Sequence, residues 1–313
     1  MSTGNFLFYL LMILGPTVAV SSSSWVVSWV GIELAFLGLI PFLVSDGKSL
    51  PSLSSESTLK YFCIQAAGSG ILMCGGVMKF MIPFLMGSFS SNIVFLVGLG
   101  LKLGIFPFHF WVPSVVAGLK WYPMLMILTW QKVAPFMFMM NLVESVPSLS
   151  SLVFTLGGLS AIVGALMGLN QTKLAPMLGA SSITHSGWVS IGAVCGGFWI
   201  YFLIYIGSLL LLMVALSSQR VFMAGLLTLA LSGLPPFVMF IGKWSILKQA
   251  LSLSGYWWFI SLPLLGSVMS LFFYLKFFYS FYLESEESLL SKGGYAISFS
   301  VANMVGALLI IMF

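Results

Sequence analysis

Along the 313 residues, apolar side chains run in long stretches broken by short clusters of Ser, Gly, Pro, Asn and charge. A helix that crosses a bilayer needs roughly 20 mostly apolar residues, and such clusters mark its ends. The pattern predicts about eleven spans on that length criterion. They lie near 5–20, 24–44, 59–79, 91–118, 122–143, 150–168, 174–195, 198–217, 221–250, 257–282 and 295–312. Helices are required because lipid offers a bare backbone amide no partner. The expected fold class is an all-α polytopic membrane protein.

Two of these spans are too long and are interrupted. The fourth contains Pro107 and the ninth contains Pro235 and Pro236. Proline removes a donor and clashes with the preceding turn, so each span is expected as two half-helices. Broken spans at corresponding places in two halves suggest an internal repeat. A first five-helix repeat over 5–143 would match a second over 150–282, leaving an added helix at 295–312 within one membrane domain. Each half holds an odd number of crossings, so the repeats are expected to be inverted.

Composition agrees with lipid as the solvent. Hydrophobic residues make up 60% of the chain and charged residues 6%, with a mean hydropathy of +1.11. A soluble domain carries about 25% charged residues. The formal charge of +5 comes from twelve Lys/Arg against seven Asp/Glu with no basic run, so nucleic-acid binding has no support. Cys63, Cys74 and Cys195 stand far apart, which predicts neither a metal site nor a disulfide framework. The first apolar stretch lacks a basic leader and reads as a mature helix rather than a signal. Lys48, Lys120, Lys173, Arg220 and Lys292 fall in even-numbered loops, and Lys79 alone sits near an odd one. That asymmetry predicts an inside N-terminus and an outside C-terminus.

The informative residues are ionisable groups inside spans. Asp46, Glu56, Glu144, Glu284, Glu286 and Glu287 fall in loops and read as solvated. Lys60 and Lys276 stand near span ends, as interfacial anchors do. Glu33, Lys102, Lys132, His185 and Lys243 are different, because each falls within a span. A charge at the bilayer centre costs at least ~2.5–3.5 kcal/mol. One structural Glu33–lysine pair would leave the other lysines without an acid, since no second mid-span carboxylate exists. Lys243 could instead snorkel to an interface, and His185 could be a core histidine satisfied by Ser181 and Ser182, one turn back. The chemical alternative is proton exchange. Low dielectric favours the neutral amine and a nearby carboxylate favours the ammonium, so a carboxylate–lysine distance that changes with conformation switches a lysine between holding and releasing a proton. Lys102 precedes Pro107 by about one turn. It is therefore expected at the negative end of a half-helix, among carbonyls free to meet water. Gly98, Gly100 and Gly104 beside it would let another helix approach closely. Glu33 and Lys102 are expected within direct or one-water reach, because neither has another central partner of opposite sign.

These residues sit in strings with a resemblance. GLKLGIFPFHFWVPS, LTWQKVAPF, LNQTKLAPMLGASSITHSGW and LSGLPPFVMFIGKW, with WVGIELAFLGLIP and LKYFCIQAAGS before them, resemble the chain 2 family of mitochondrial NADH:ubiquinone oxidoreductase, respiratory complex I. The resemblance runs from about Trp25 to Lys243. It implies an antiporter-like fold shared with Mrp-type cation/proton antiporter subunits, and a proton path along the middle of the membrane. Glu33 would be its carboxylate, Lys102 the lysine of the first broken helix, Lys132 the central relay, Lys243 the lysine of the second broken helix, and His185 the histidine between them. Animal members lack three N-terminal helices found in bacterial relatives, which suits about eleven spans.

The resemblance also implies a core membrane-arm subunit of the mitochondrial inner membrane, its N-terminus toward the matrix and its C-terminus toward the intermembrane space. It would translocate protons beside other membrane-arm subunits, sister antiporter-like subunits among them, and lipids. NADH, FMN, Fe–S clusters and ubiquinone would be used by the complex and bound elsewhere, since no glycine fingerprint or cysteine cluster appears here. Two departures stand out. Ser114 occupies a position where many relatives carry Glu, and Pro176 falls early in a span where relatives are usually basic. An independent cation/proton secondary transporter is the rival reading, for which broken helices are equally apt.

Overall fold

Lipid reverses the usual placement of polar and apolar side chains, and the chain follows that reversal. The computed structural model describes residues 3–45, 51–80, 88–253 and 257–285, with Phe299 and Asn303. Within them Leu203, Leu211, Val214, Val268 and Phe272 face outward, while Ser160, Ser181, Ser182 and Thr228 are buried completely. Polar groups gather inside because there they can bond to helix carbonyls, and the apolar skin meets the acyl chains.

Among the described residues every regular element is a helix. They are α1 (Thr3–Ser21), α2 (Trp25–Ser45), α3 (Pro51–Phe80), α4 (Ser88–Leu103), α5 (Trp111–Val116), α6 (Trp121–Leu128), α7 (Trp130–Ser145), α8 (Ser150–Leu169), α9 (Leu174–Cys195), α10 (Phe198–Ser217), α11 (Val221–Ser232), α12 (Val238–Ser252) and α13 (Trp257–Glu284). Five stretches are long and apolar enough to cross a membrane outright: Trp25–Val44, Leu53–Phe80, Pro147–Leu169, Phe198–Ser217 and Trp258–Glu284. Others fall short because they are interrupted, as α4 and α11 are, or because serines, threonines and His185 dilute them, as in α9. The expected helix at 295–312 and the residues Asp46, Lys48, Glu286, Glu287 and Lys292 lie outside the described residues.

Both long spans are broken at the prolines. The first stops at Leu103 and resumes at Trp111. Gly104 adopts a left-handed φ of 69°, and the N–H groups of Gly104 and Ile105 both return to the carbonyl of Gly100, at 2.9 and 3.1 Å. That closes α4 with a glycine C-cap. The second stops at Ser232, with Gly233 at φ 76°, and resumes at Val238 after Pro235 and Pro236. The N–H of Val238 is met by the side-chain oxygen of Asn303 at 3.4 Å.

Two spans depart from the expected bounds. The fifth, expected as one helix over 122–143, is divided at Thr129, whose φ and ψ are −120° and −74°. The Thr129 hydroxyl donates back to the carbonyl of Leu125 at 2.7 Å, a local bond that competes with regular helix geometry. Pro135 also lacks the N–H that would bond the carbonyl of Gln131. The third helix begins about two turns before its apolar stretch, at Pro51, because proline is tolerated in a first turn. In that extension exposed Lys60 pairs with Glu56 at 2.5 Å, one turn away.

The chain clusters into two units, Met1–Leu152 with Ala175–Ile183, and Val153–Leu174 with Thr184–Phe313. In the first, α1 packs along α2 and α3 along α4. A Cβ on Gly98 would meet the Leu72 backbone at 2.7 Å, so that glycine permits the close approach of α3. The first turns of α9 belong to this unit because Gly179 lies against Pro113 of α5, where a Cβ would come within 2.9 Å. In the second unit α8 receives α9 and α13 on small residues: a Cβ on Gly187 would meet Ala161 at 2.8 Å, and one on Gly266 would meet it at 2.6 Å.

The two kinds of glycine should respond oppositely to alanine. Gly104→Ala forces a side chain into the left-handed region and is expected to cost about 1–2 kcal/mol. Gly207, inside α10 with nothing within 4 Å of a built Cβ, is expected to gain about 0.5–1 kcal/mol as alanine. Heat-induced loss of the assembled protein in detergent, compared between the two variants, checks both signs.

Candidate functional site

Five lysine and histidine side chains among the described residues are buried at the level of core residues: Lys102 at 5% exposure, His109 at 2%, Lys132 at 3%, His185 at 2% and Lys243 at 8%. In a bilayer core such groups persist only with partners that replace water.

Lys102 stands in the last turn of α4. Its Nζ donates to Glu33 Oε1 of α2 at 2.8 Å, so the mid-span acid and a mid-span base meet directly across 69 positions of sequence. The lysine side chain is 1% exposed and the carboxylate 19%, so the pair has one dry end and one reachable end. The helix end departs from expectation. Its carbonyls were expected free for water, yet the Trp111 indole N–H donates to Leu101 O at 3.1 Å and the Gln65 amide to Lys102 O at 3.3 Å. Together with the double bond to Gly100, these occupy the last turn. The reason is burial: a helix end closed by neighbouring side chains needs no solvent.

Lys132 lies in the first turn of α7, just after the division at Thr129. Its Nζ donates to the carbonyl of Ser182 on α9 at 3.3 Å. Lys243 lies in the second turn of α12 and reaches back to the other half of its own broken span, donating to Ser232 O at 2.7 Å. That carbonyl is the last of α11, where backbone dipoles leave negative charge. The same ammonium lies 5.8 Å from the ring of Trp188, within cation–π reach. Burial of the ammonium at a helix end, rather than snorkelling, is what the geometry displays. A cavity of about 190 Å³, lined by Trp188, Ser232, Trp244 and Ser267 among others, adjoins it.

The Ser181 and Ser182 hydroxyls, one turn before His185, donate back to Leu178 O at 2.9 Å and Gly179 O at 2.7 Å. The His185 imidazole bridges two phenols. Nδ1 is 2.8 Å from Tyr201 Oη of α10, and Nε2 is 3.0 Å from Tyr274 Oη of α13. Tyr205 lies against the ring at 4.7 Å between centroids. Sequence reasoning missed these tyrosines, together with Gln65 and Trp188. The one available signal was Tyr201 and Tyr205, a turn apart on an otherwise apolar α10.

Ser114, at the departure from the resembled pattern, turns its hydroxyl to the carbonyl of Trp111 at 2.8 Å and brings no charge. Cys63 and Cys74 are exposed. Among the described residues no three His, Cys, Asp or Glu side chains stand close enough to hold a metal ion.

Comparison with known proteins points one way. Residues 22–225 match the family described as NADH:quinone oxidoreductase/Mrp antiporter, TM. The chain is 33% identical over 301 residues to NADH-ubiquinone oxidoreductase chain 2 of Albinaria caerulea, covering 96% of each. It is 34% identical over 310 residues to that of Anopheles gambiae, covering 89% of this chain and 86% of the other. Among solved structures it resembles a chain of respiratory complex I from Thermus thermophilus with bound aureothin, with a TM-score of 0.79 and 25% identity over 97% of this chain and 78% of that one. It also resembles a chain of the Mrp complex from Dietzia sp. DQ12-45-1b, with a TM-score of 0.77 and 15% identity, over 86% of this chain and 59% of that one. That last likeness is one of fold.

The Glu33–Lys102 contact makes a stability prediction. Glu33→Gln leaves a buried ammonium without its anion and is expected to destabilise by about 3 kcal/mol. Lys102→Met should cost less, since the carboxylate is the more exposed partner. Adding Lys102→Met to Glu33→Gln should recover part of the loss, with a coupling of about 1–3 kcal/mol. A double-mutant cycle on the heat stability of the assembled protein measures it, and simple additivity would rule out a direct interaction.

Proposed function

The chain belongs to the NADH:quinone oxidoreductase/Mrp antiporter transmembrane family, and from that premise we infer that it is a proton-translocating membrane-arm subunit of respiratory complex I. The observation that carries the mechanism is the direct Glu33–Lys102 ion pair, at 2.8 Å, in a chain that also buries Lys132 and Lys243. Glu33, Lys102, Lys132, His185 and Lys243 are the stations of the proposed path. With Glu33 at 2.8 Å, the Lys102 ammonium has a counter-charge and holds its proton. If the pair opens, the counter-charge is lost, the low dielectric favours the neutral amine, and the proton passes on. Moving one charge against the membrane potential costs ~2.3 kcal/mol per 100 mV, which an ion pair in a dry site can supply.

Lys132 and Lys243 each rest on a helix carbonyl. A carbonyl binds an ammonium without neutralising it, so these groups can release a proton at lower cost than a salt-bridged lysine. The single domain is read as two inverted five-helix repeats, about 5–143 and 150–282, with an added helix at 295–312. The N-terminus is placed toward the matrix and the C-terminus toward the intermembrane space of the mitochondrial inner membrane, on the distribution of basic loop residues. Neighbours would be other membrane-arm subunits, sister antiporter-like subunits and lipids. NADH, FMN, Fe–S clusters and ubiquinone serve the whole complex. Among the described residues two of the three cysteines are exposed and no three His, Cys, Asp or Glu side chains gather to hold a metal ion, a donor set that does not fit an Fe–S centre. Electron transfer is therefore assigned to other subunits, and this chain receives its drive through contacts in the membrane.

Lys132→Met in the whole complex keeps the bulk and removes the titrating group. Protons translocated per NADH oxidised should fall, and coupled NADH oxidation should slow several-fold. A variant that assembles normally and pumps with unchanged stoichiometry would make Lys132 a buried structural cation.

A further inference from the structure

The set of aromatic hydroxyls around His185 raises an energetic question. Tyr201, Tyr205 and Tyr274 are all buried, and a buried hydroxyl costs free energy unless it is bonded. Phenylalanine would fill the same volume without that cost. Tyr205 illustrates the point, since its hydroxyl is buried with no hydrogen-bond partner. Tyr201 and Tyr274 differ from it in one respect: each hydroxyl meets one nitrogen of the same imidazole, at 2.8 and 3.0 Å.

We propose that Tyr201 and Tyr274 relay protons to and from His185, forming with it a hydrogen-bonded chain that enters at α10 and leaves at α13. The inference rests on the assignment of His185 to the proton path. A neutral imidazole has one donor and one acceptor nitrogen, and a phenol can serve as either, so the two tyrosines satisfy both nitrogens in either tautomer.

In one direction the step runs as follows. Tyr201 gives its hydroxyl proton to Nδ1 and takes another from the entry side. Nε2 gives its proton to Tyr274 Oη, and Tyr274 releases its own. One proton enters and one leaves, no residue ends with a changed charge, and the imidazole ends as the opposite tautomer. A second proton cannot follow in the same sense until that tautomer is reset. With Tyr201 and Tyr274 holding both nitrogens and Tyr205 packed on the ring face, reset requires the contacts around the ring to open. The clamp thus passes one proton for each opening, which a freely rotating histidine would not enforce.

The test uses the whole complex in sealed membrane vesicles, with protons translocated per NADH oxidised and flavin content as the measure of assembly. Four variants are compared: Tyr201→Phe, Tyr274→Phe, Tyr205→Phe and His185→Gln. The expected result is a similar loss of stoichiometry in Tyr201→Phe, Tyr274→Phe and His185→Gln, with Tyr205→Phe at the wild-type value. A purely structural tyrosine would lower the amount assembled and leave the stoichiometry of what assembles intact, so that pattern overturns the inference. Loss in Tyr205→Phe as well would show that removing any hydroxyl beside the imidazole has the same effect, and loss in only one of the other two would exclude a two-ended chain; either outcome overturns it. Unchanged stoichiometry in His185→Gln would remove His185 from the path altogether. Loss in His185→Gln without loss in Tyr201→Phe and Tyr274→Phe would overturn the clamp alone. If neither of those tyrosine variants assembles, infrared difference spectra of the wild-type complex on NADH addition, with ring-deuterated tyrosine, should show a shifted tyrosine C–O band. Its absence would count against the chain.

Discussion

An ammonium group in a bilayer core must be given back, by the protein, the interactions that water supplied. Most of the internal architecture follows from meeting that demand for Lys102, Lys132 and Lys243. Lys102 is met by a carboxylate, and Lys132 and Lys243 by helix carbonyls. The three solutions differ in how firmly they hold charge. An anion neutralises the ammonium, whereas a carbonyl only solvates it. A chain that fixed all three lysines with carboxylates would be more stable and less able to exchange protons.

For Lys243 a broken helix makes the backbone available, whereas Lys132 meets a carbonyl inside α9. An unbroken helix commits its carbonyls to its own amides, and only its end leaves them free. Interrupting α11 at Gly233 creates such an end in the membrane interior, and Lys243 occupies it from the other half of the same span. The break after α4 is used differently. Its carbonyls are taken by Gln65 and Trp111, and Lys102 turns its own ammonium to Glu33. Two breaks alike in sequence therefore differ in electrostatics: one is sealed by neutral donors beside an ion pair, the other by a cation.

How far the sequence reveals this depends on the range of the interaction. The bounds of α9 and α10 follow directly from the hydropathy pattern, since Gly196 and Gly197 lie between two apolar runs. The breaks at Pro107 and Pro235 are legible because proline acts locally. The Glu33–Lys102 contact is legible by elimination, as no other mid-span acid exists. The division at Thr129 is not, because threonine hydroxyls bond back within helices in several places here without breaking them, as at Thr58 and Thr228. The partners of His185 are equally hidden, lying 16 and 89 positions away on two helices.

The contacts of the Lys132 and Lys243 ammonium groups with helix carbonyls have a consequence for selectivity. Sodium and potassium ions move only by exchanging one shell of oxygen ligands for another, and they are drawn to sites of negative charge. Beside Lys132 or Lys243 in its charged form such an ion would meet an ammonium and a carbonyl already engaged, so like-charge repulsion would oppose its entry. A proton would be exempt, because it travels by being handed over and never needs to share the site with the cation it replaces. On the proposed path, buried ammonium groups would thus discriminate against alkali metals by charge.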